Sequence, residues 1–263
     1  MSGFVSRIVV VLAGAPVVLG AVYLGGWYLF ALLAIAALLA LHEFYRMARP
    51  LRPLVLAGYG GVAAALVGAR LGGVEWMLGG FLATILLAFL FFLIASTRAP
   101  ATVSISGTLS GAAWIGFGLA FLLVLRALPE HGRLAALTVL LVVWADDSVA
   151  YLVGRALGRH KFSPTLSPAK TWEGFVAGTA AAVFVAFVCM YKQDFLTVGE
   201  SIALGAVLAV AGALGDLFES ALKRDMQVKD SGRLLAGHGG VLDRVDAFLF
   251  AIPAAYFTIA ALT

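Results

Sequence analysis

The sequence predicts an all-α, polytopic integral membrane protein of about nine transmembrane helices, with its N-terminus in the cytoplasm. Three observations carry that expectation. The 263 residues are 62% hydrophobic and only 12% charged, whereas soluble domains carry about 25% charged residues. So little charge cannot wet a globule of 27.4 kDa with a mean hydropathy of +1.03. Uncharged stretches of membrane-spanning length recur along the chain, and the basic residues sort to alternate sides of them. Disorder is excluded by the same apolar content. Cys189 is the one cysteine, so neither an intrachain disulfide framework nor a two-Cys zinc site is available.

A bilayer core of about 30 Å asks for roughly 20 apolar residues per helix. Between Arg7 and His42 the uncharged run is too long for one helix, and Gly25-Gly26 divides it into two. Further spans are predicted over 54–69, 76–95, 109–126, 134–153, 174–191, 201–222 and 245–262, the fifth with an alternative start near Val103. The N-terminus has the basic residue and apolar run of a signal peptide. That run continues past Ala13-Gly14-Ala15, which favours an uncleaved first helix.

Nine crossings assign fourteen Lys and Arg residues to the N-terminal side and four (Arg70, Arg126, Arg133 and Lys192) to the other. Positive charge collects on the cytoplasmic side. The N-terminus and the polar loops 154–173 and 223–244 are therefore expected in the cytoplasm, on a multi-pass protein of the inner (plasma) membrane. The pI of 9.4 then reflects topology, and no nucleic-acid partner is expected. Only Glu43, Glu75 and Glu130 precede residue 146, and the other eleven carboxylates lie from Asp146 onward. Residues 1–133 are read as a helical scaffold, whose small residues (Gly58, Gly60, Gly61, Gly68, Gly72, Gly73) suit close helix approach and dimer contacts. Residues 134–263 are read as the catalytic region.

The chemistry-bearing residues fall in three groups. Trp144-Ala145-Asp146-Asp147-Ser148 lies inside an apolar helix, where an ionised carboxylate costs about 2.5–3.5 kcal/mol. Asp147, Tyr151, Gly154 and Gly158 are expected on one face of it; the alternative is a polar helix end dipping into the interface. Ser163-Pro164-Thr165-Leu166-Ser167-Pro168-Ala169-Lys170-Thr171-Trp172-Glu173-Gly174 reads as a loop entering a helix, with a Ser or Thr cap. Lys170 stands beside that helix start, a natural place for phosphate, or it serves only as a topogenic charge. No Walker A string is present.

The third group begins at Gly215. Asp216, Glu219, Ser220 and Lys223 share a helix face, where Lys223 either meets substrate or simply neutralises Glu219. Lys229-Asp230 and Gly237-His238-Gly239-Gly240 precede Asp243-Arg244-Val245-Asp246. Asp243 and Asp246, three apart, can aim two carboxylates at one locus. Oxygen ligands without thiols favour Mg²⁺, and glycine backbone at a helix start offers N–H groups to phosphate. His238 is structural or catalytic with equal support. Together these groups suit a polyphosphate held at the membrane, the setting of phosphoryl or nucleotidyl transfer.

The run from Ser220 through Lys223-Arg224, Lys229-Asp230, His238-Gly239-Gly240 and Asp243-Arg244-Val245-Asp246 resembles the hallmark of the phosphatidate cytidylyltransferases, the CDP-diacylglycerol synthases. Asp147-Ser148-Val149-Ala150-Tyr151 and Ser167-Pro168-Ala169-Lys170-Thr171-Trp172-Glu173-Gly174 resemble the same family in the same order. Matching covers about 144–174 and 212–246. Ala236 departs from the Pro or Gly usual there. The resemblance implies that CTP and phosphatidate give CDP-diacylglycerol and pyrophosphate, with Mg²⁺ and a second, monovalent cation such as K⁺, in a homodimer. It implies cation binding by Asp216, Asp243 and Asp246. Catalytic roles fall to Lys223, Arg224, Lys229, Asp230, His238 and Asp147. Substrate contacts fall to Lys170, Ser167, Thr171, Ser220, Gly239, Gly240 and Arg244.

Two other readings compete. An ion-coupled transporter also buries carboxylates in interrupted helices, but it predicts polar residues on both sides of the midplane and a repeated half. Another CTP-dependent lipid kinase lacks the spacing of the C-terminal motif.

Overall fold

The computed structural model describes residues 3–95, 99–232 and 239–262, with side chains from Gly14 onward. The chain packs as two units, Met1–Ala127 with Met226–Val245, and Leu128–Asp225 with Asp246–Thr263. Seven described helices are long and apolar enough to cross a membrane, as the hydropathy pattern requires. They make this a polytopic α-helical membrane protein.

In the first unit, α1 (Gly3–Leu24) and α2 (Gly26–Met47) are separated at Gly25, whose φ of 67° lies in the left-handed region. Arg126 donates from Nε to the carbonyl of Val22 (2.7 Å) and from a terminal nitrogen to that of Tyr23 (3.0 Å). It thereby satisfies carbonyls that the end of α1 leaves without helical partners. Leu33, Ala37, Ala40, Leu41 and Phe44 form the buried stripe of α2, at the spacing of one helix face.

Helix α3 (Val55–Ile94) is continuous in hydrogen bonding but not in direction. Gly72 (φ −139°, ψ 16°) and Gly73 (φ 66°, ψ −148°) break it, and the second conformation is one that only glycine adopts readily. A Cβ built on Gly80 would lie 2.5 Å from the Ala65 nitrogen, and one on Gly61 would meet the Thr84 side chain. On a straight helix Ala65 and Gly80 would stand about 22 Å apart. The segment therefore doubles back into two antiparallel arms at the two regions read from the sequence as separate spans. The glycines noted there let the arms touch backbone to backbone.

Helix α4 (Ala101–Gly111), a π turn (Ala112–Phe117) and α5 (Gly118–Arg126) follow as one apolar rod. It begins earlier than residue 109, near the alternative start at Val103. Tyr45 on α2 donates its hydroxyl to the Thr108 carbonyl at 2.8 Å.

The second unit contains α6 (Gly132–Leu157), β1 (Lys161–Ser163), β2 (Ser167–Thr171), α7 (Trp172–Met190) and α8 (Val198–Asp225). It also holds most of α9 (Leu242–Leu262). The stretch expected as a plain loop is an antiparallel hairpin, pairing Lys161 with Thr171 and Ser163 with Ser167. Pro164 and Pro168, read as stiffeners of a helix entry, begin its turn and lie in its second strand, respectively. Trp172 and Phe175 pack on Phe162, with centroids 4.6 and 5.1 Å apart, and hold the hairpin to the start of α7.

Candidate active site

Asp146 sits in α6 with its carboxyl turned inward, 7% exposed, while Asp147 is on the exposed side of the helix. Gly178 makes room for it, and Gly212 lies at ordinary contact distance. A Cβ on Gly178 of α7 would run into Asp146 Oδ1, and one on Gly212 of α8 would lie 3.9 Å from Oδ2. Ala150 and Gly154 continue the same face, where a Cβ on Gly174 would come within 2.7 Å of the Ala150 carbonyl oxygen. The face turned to α7 thus carries 146, 150 and 154: Gly154 and Gly158 pack toward Thr171 as members of the expected face, whereas Asp147 and Tyr151 are exposed and Asp146 and Ala150 take the inward positions.

The hairpin brings Lys170 to α8. Its Nζ lies 2.6 Å from Asp216 Oδ2, and both side chains are about three-quarters covered. Asp146 lies within electrostatic reach of both. One turn beyond Asp216, Glu219 is 1% exposed and pairs with Lys223 at i+4, the neutralising contact held open above. Asp246 on α9 is within electrostatic reach of Asp216 and Glu219 and is hydrogen-bonded to Glu219. The approach is close because a Cβ on Gly215 would fall 2.5 Å from the Asp246 carbonyl oxygen.

Four carboxyl groups (Asp146, Asp216, Glu219 and Asp246) thus gather with two ammonium groups, those of Lys170 and Lys223. This excess of oxygen donors has the chemistry of a hard-cation site. Among the described residues, no three His, Cys, Asp or Glu side chains are gathered closely enough to hold a metal ion as they stand.

Thr171, expected to contact substrate, caps α7: its Oγ1 accepts the Gly174 N–H at 3.2 Å and it is 5% exposed. Arg224 is exposed and reaches the Leu166 carbonyl at the hairpin turn (3.4 Å). Ser167 and Ser220 are half-buried, and Lys229, Asp230 and Arg244 are exposed.

In the first unit, Asp243 opens α9 and folds the preceding segment onto itself. Its carboxylate accepts the N–H of Gly240 (2.7 Å) and that of Ser231 (3.2 Å). Gly239 has φ +80°, and a Cβ there would approach Asp243 Oδ2 to 2.6 Å, so the position favours glycine on both counts. His238 and Ala236 lie outside the described residues.

The sequence profile of the cytidylyltransferase family matches residues 5–262. The chain belongs to the cytidylyltransferase family. Among curated relatives, a protein of Staphylococcus haemolyticus named phosphatidate cytidylyltransferase is 42% identical over 146 residues, 55% of each chain. Its namesake in Staphylococcus saprophyticus is 44% identical over 142 residues, 54% of each. The one in Bacillus subtilis is 42% identical over 150 residues, 57% of this chain and 56% of that one. The chain spans about half the length of the curated relatives it matches.

Asp146 and Glu219 of this cytidylyltransferase-family chain were not expected from the sequence as site members, and Glu43 and Ser231 were given no role. The small residues Ala150 and Gly154, four and eight after Asp146, were the available signal for the first. Nothing in the sequence near Glu43 signalled a polar partner.

Proposed function

We propose that this protein transfers CMP from CTP to phosphatidate, giving CDP-diacylglycerol and pyrophosphate, with phosphatidate and CTP as its substrates. The observation that carries the reading is the pairing of Lys170 with Asp216 beside Asp146 and Asp246. It is a charged cluster inside otherwise apolar helices, built from the segments that the family motif marks.

A phosphate oxygen of phosphatidate attacks the α-phosphorus of CTP in line. A P–O bond forms there, and the bond to the bridging oxygen of the β-phosphate breaks, releasing pyrophosphate. The nucleophile is already an anion near neutral pH, so the protein's work is placement and charge compensation. Lys170, Lys223, Arg224 and Lys229 meet phosphate oxygens; Gly239 offers its backbone N–H, and Gly240 joins it once its N–H leaves the Asp243 carboxylate. Asp216, Asp243 and Asp246 are the carboxylates that would hold Mg²⁺, with room in the reading for a monovalent cation such as K⁺. Bound there, Mg²⁺ would neutralise charge on the phosphates and on the departing pyrophosphate. Asp147, Asp230 and His238 remain candidate orienting groups.

The same reading makes the chain a nine-span protein of the inner membrane, with α3 counted as two crossings, its N-terminus and site in the cytoplasm, and a homodimeric assembly. The excess of basic residues on one side of these crossings supports the orientation.

The test is direct. Purified protein in detergent is given radiolabelled CTP and phosphatidate. The expected result is lipid-extractable label with Mg²⁺, none after chelation, and none when labelled ATP replaces CTP. Label that stays aqueous with folded protein overturns the reading.

A further inference from the structure

Glu43 is a buried carboxylate that this chemistry leaves unused. It sits near the end of α2, between His42 and Arg46, but is only 2% exposed, so its carboxylate needs hydrogen-bond donors to be tolerated. Among the described residues no cation pairs with it. Its donors come from the segment that leads into α9. Ser231 Oγ donates to Glu43 Oε2 at 3.3 Å, and the Leu242 N–H donates to the same oxygen at 2.9 Å.

Leu242 is the first residue of α9. Its N–H has no acceptor within the helix, and negative charge is favoured at that end by the aligned peptide dipoles. Glu43 therefore caps α9 from a different helix. The segment is pressed onto it: a Cβ on Gly232 would collide with Oε1, and one on Gly240 with Oε2 and with Ser231 Oγ. Asp243 closes the arrangement from the other side by accepting the N–H groups of Ser231 and Gly240. Ser231 is thus held twice, by side chain to Glu43 and by backbone to Asp243.

We propose that Glu43 is a positioning residue, which fixes the two ends of the glycine segment so that Gly239, Gly240 and Asp243 meet substrate in one conformation. The proposal rests on the cytidylyltransferase reading of those residues. It assigns a functional part to a scaffold helix. The other carboxylate oxygen, Oε1, accepts no hydrogen bond among the described residues. Glutamine can therefore point its amide nitrogen there and keep an oxygen for both donors, whereas alanine removes the cap.

The experiment combines amide hydrogen exchange and kinetics on the purified full chain in detergent. In Glu43→Ala the amides of Ser231, Gly240 and Leu242 are expected to exchange at least about 10-fold faster, while those of Val142 and Val143 in α6 stay protected. The KM for CTP is expected to rise and kcat/KM to fall by about 100-fold, the scale of a misplacement near 1 Å, with most of the loss recovered in Glu43→Gln. A purely structural role lowers the folded fraction and leaves the KM for CTP alone. Unchanged exchange at the three amides, or an unchanged KM in the folded variant, overturns the proposal. If Glu43→Ala does not fold, Ser231→Ala takes its place and must loosen the same amides. Should the wild type turn over no CTP while the variant still loosens the segment, the reaction reading fails and takes the positioning role with it, leaving Glu43 as a cap of α9.

Discussion

Lys170 Nζ lies 2.6 Å from Asp216 Oδ2, an ion pair that ties the hairpin ahead of α7 to the cytoplasm-directed third of α8 in the proposed topology. One partner was read as a phosphate ligand and the other as a cation ligand, and here each holds the other. Substrate and cation would have to compete for this contact. Lys170→Ala is expected to lower kcat/KM by about 100-fold or more, the scale seen when one preorganised charge-stabilising donor is removed. A thermal double-mutant cycle with Asp216→Ala should return a coupling of about 0.5–3 kcal/mol. A coupling near zero would show that the pair contributes nothing to the fold.

Asp246 approaches Asp216 and Glu219 from α9. Asp246→Asn keeps the shape and removes a charge. Turnover should be abolished while membrane insertion and the size-exclusion profile match the wild type. An active variant would remove Asp246 from any cation site.

Gly178 lets α7 lie against the carboxyl of Asp146, where a Cβ would overlap Oδ1. Gly178→Ala should cost about 1–3 kcal/mol, as overpacking of a tight interior does, read as a lower melting temperature in detergent. Gly199, with nothing near its missing Cβ, is the control: Gly199→Ala should leave the melting temperature within a degree or two.

Thr171 caps α7 through Gly174. Thr171→Ala should cost about 1 kcal/mol, and Thr171→Ser should retain most of it. If both variants melt alike, the hydroxyl is not what holds the helix start.

How much of this could be read from the sequence depends on what each feature costs to get wrong. The spans were legible because a bilayer accepts few alternatives to long apolar helices. The break between the two arms of α3 was legible because Arg70 and Glu75 interrupt the apolar run, whereas the left-handed conformation that makes the reversal at Gly73 came only with the structure. The C-terminal motif was legible by the density of its fixed positions. The choice between Asp146 and Asp147 was not. Adjacent residues on a helix differ by a rotation of about 100°, and the close approach of Gly178 to Asp146 is a contact that no local pattern reports. The hairpin at Lys161–Thr171 was hidden by its prolines, which read as helix-entry residues. Glu43 was hidden most deeply. Its partners Ser231 and Leu242 lie 188 and 199 residues away, and no local pattern reports a contact of that range.

The reversal at Gly72–Gly73 also bears on biogenesis. The arms on either side, 55–71 and 74–94, are about 25 Å and about 31 Å long, and the turn between them is flanked by only two charges, Arg70 and Glu75. Gly61 against Thr84 and Gly80 against Ala65 leave no thickness for lipid between the arms. An arm inserted without its partner would therefore leave Gly61 and Ala65 facing acyl chains with little side chain to fill the gap, so the two arms are expected to enter the bilayer together.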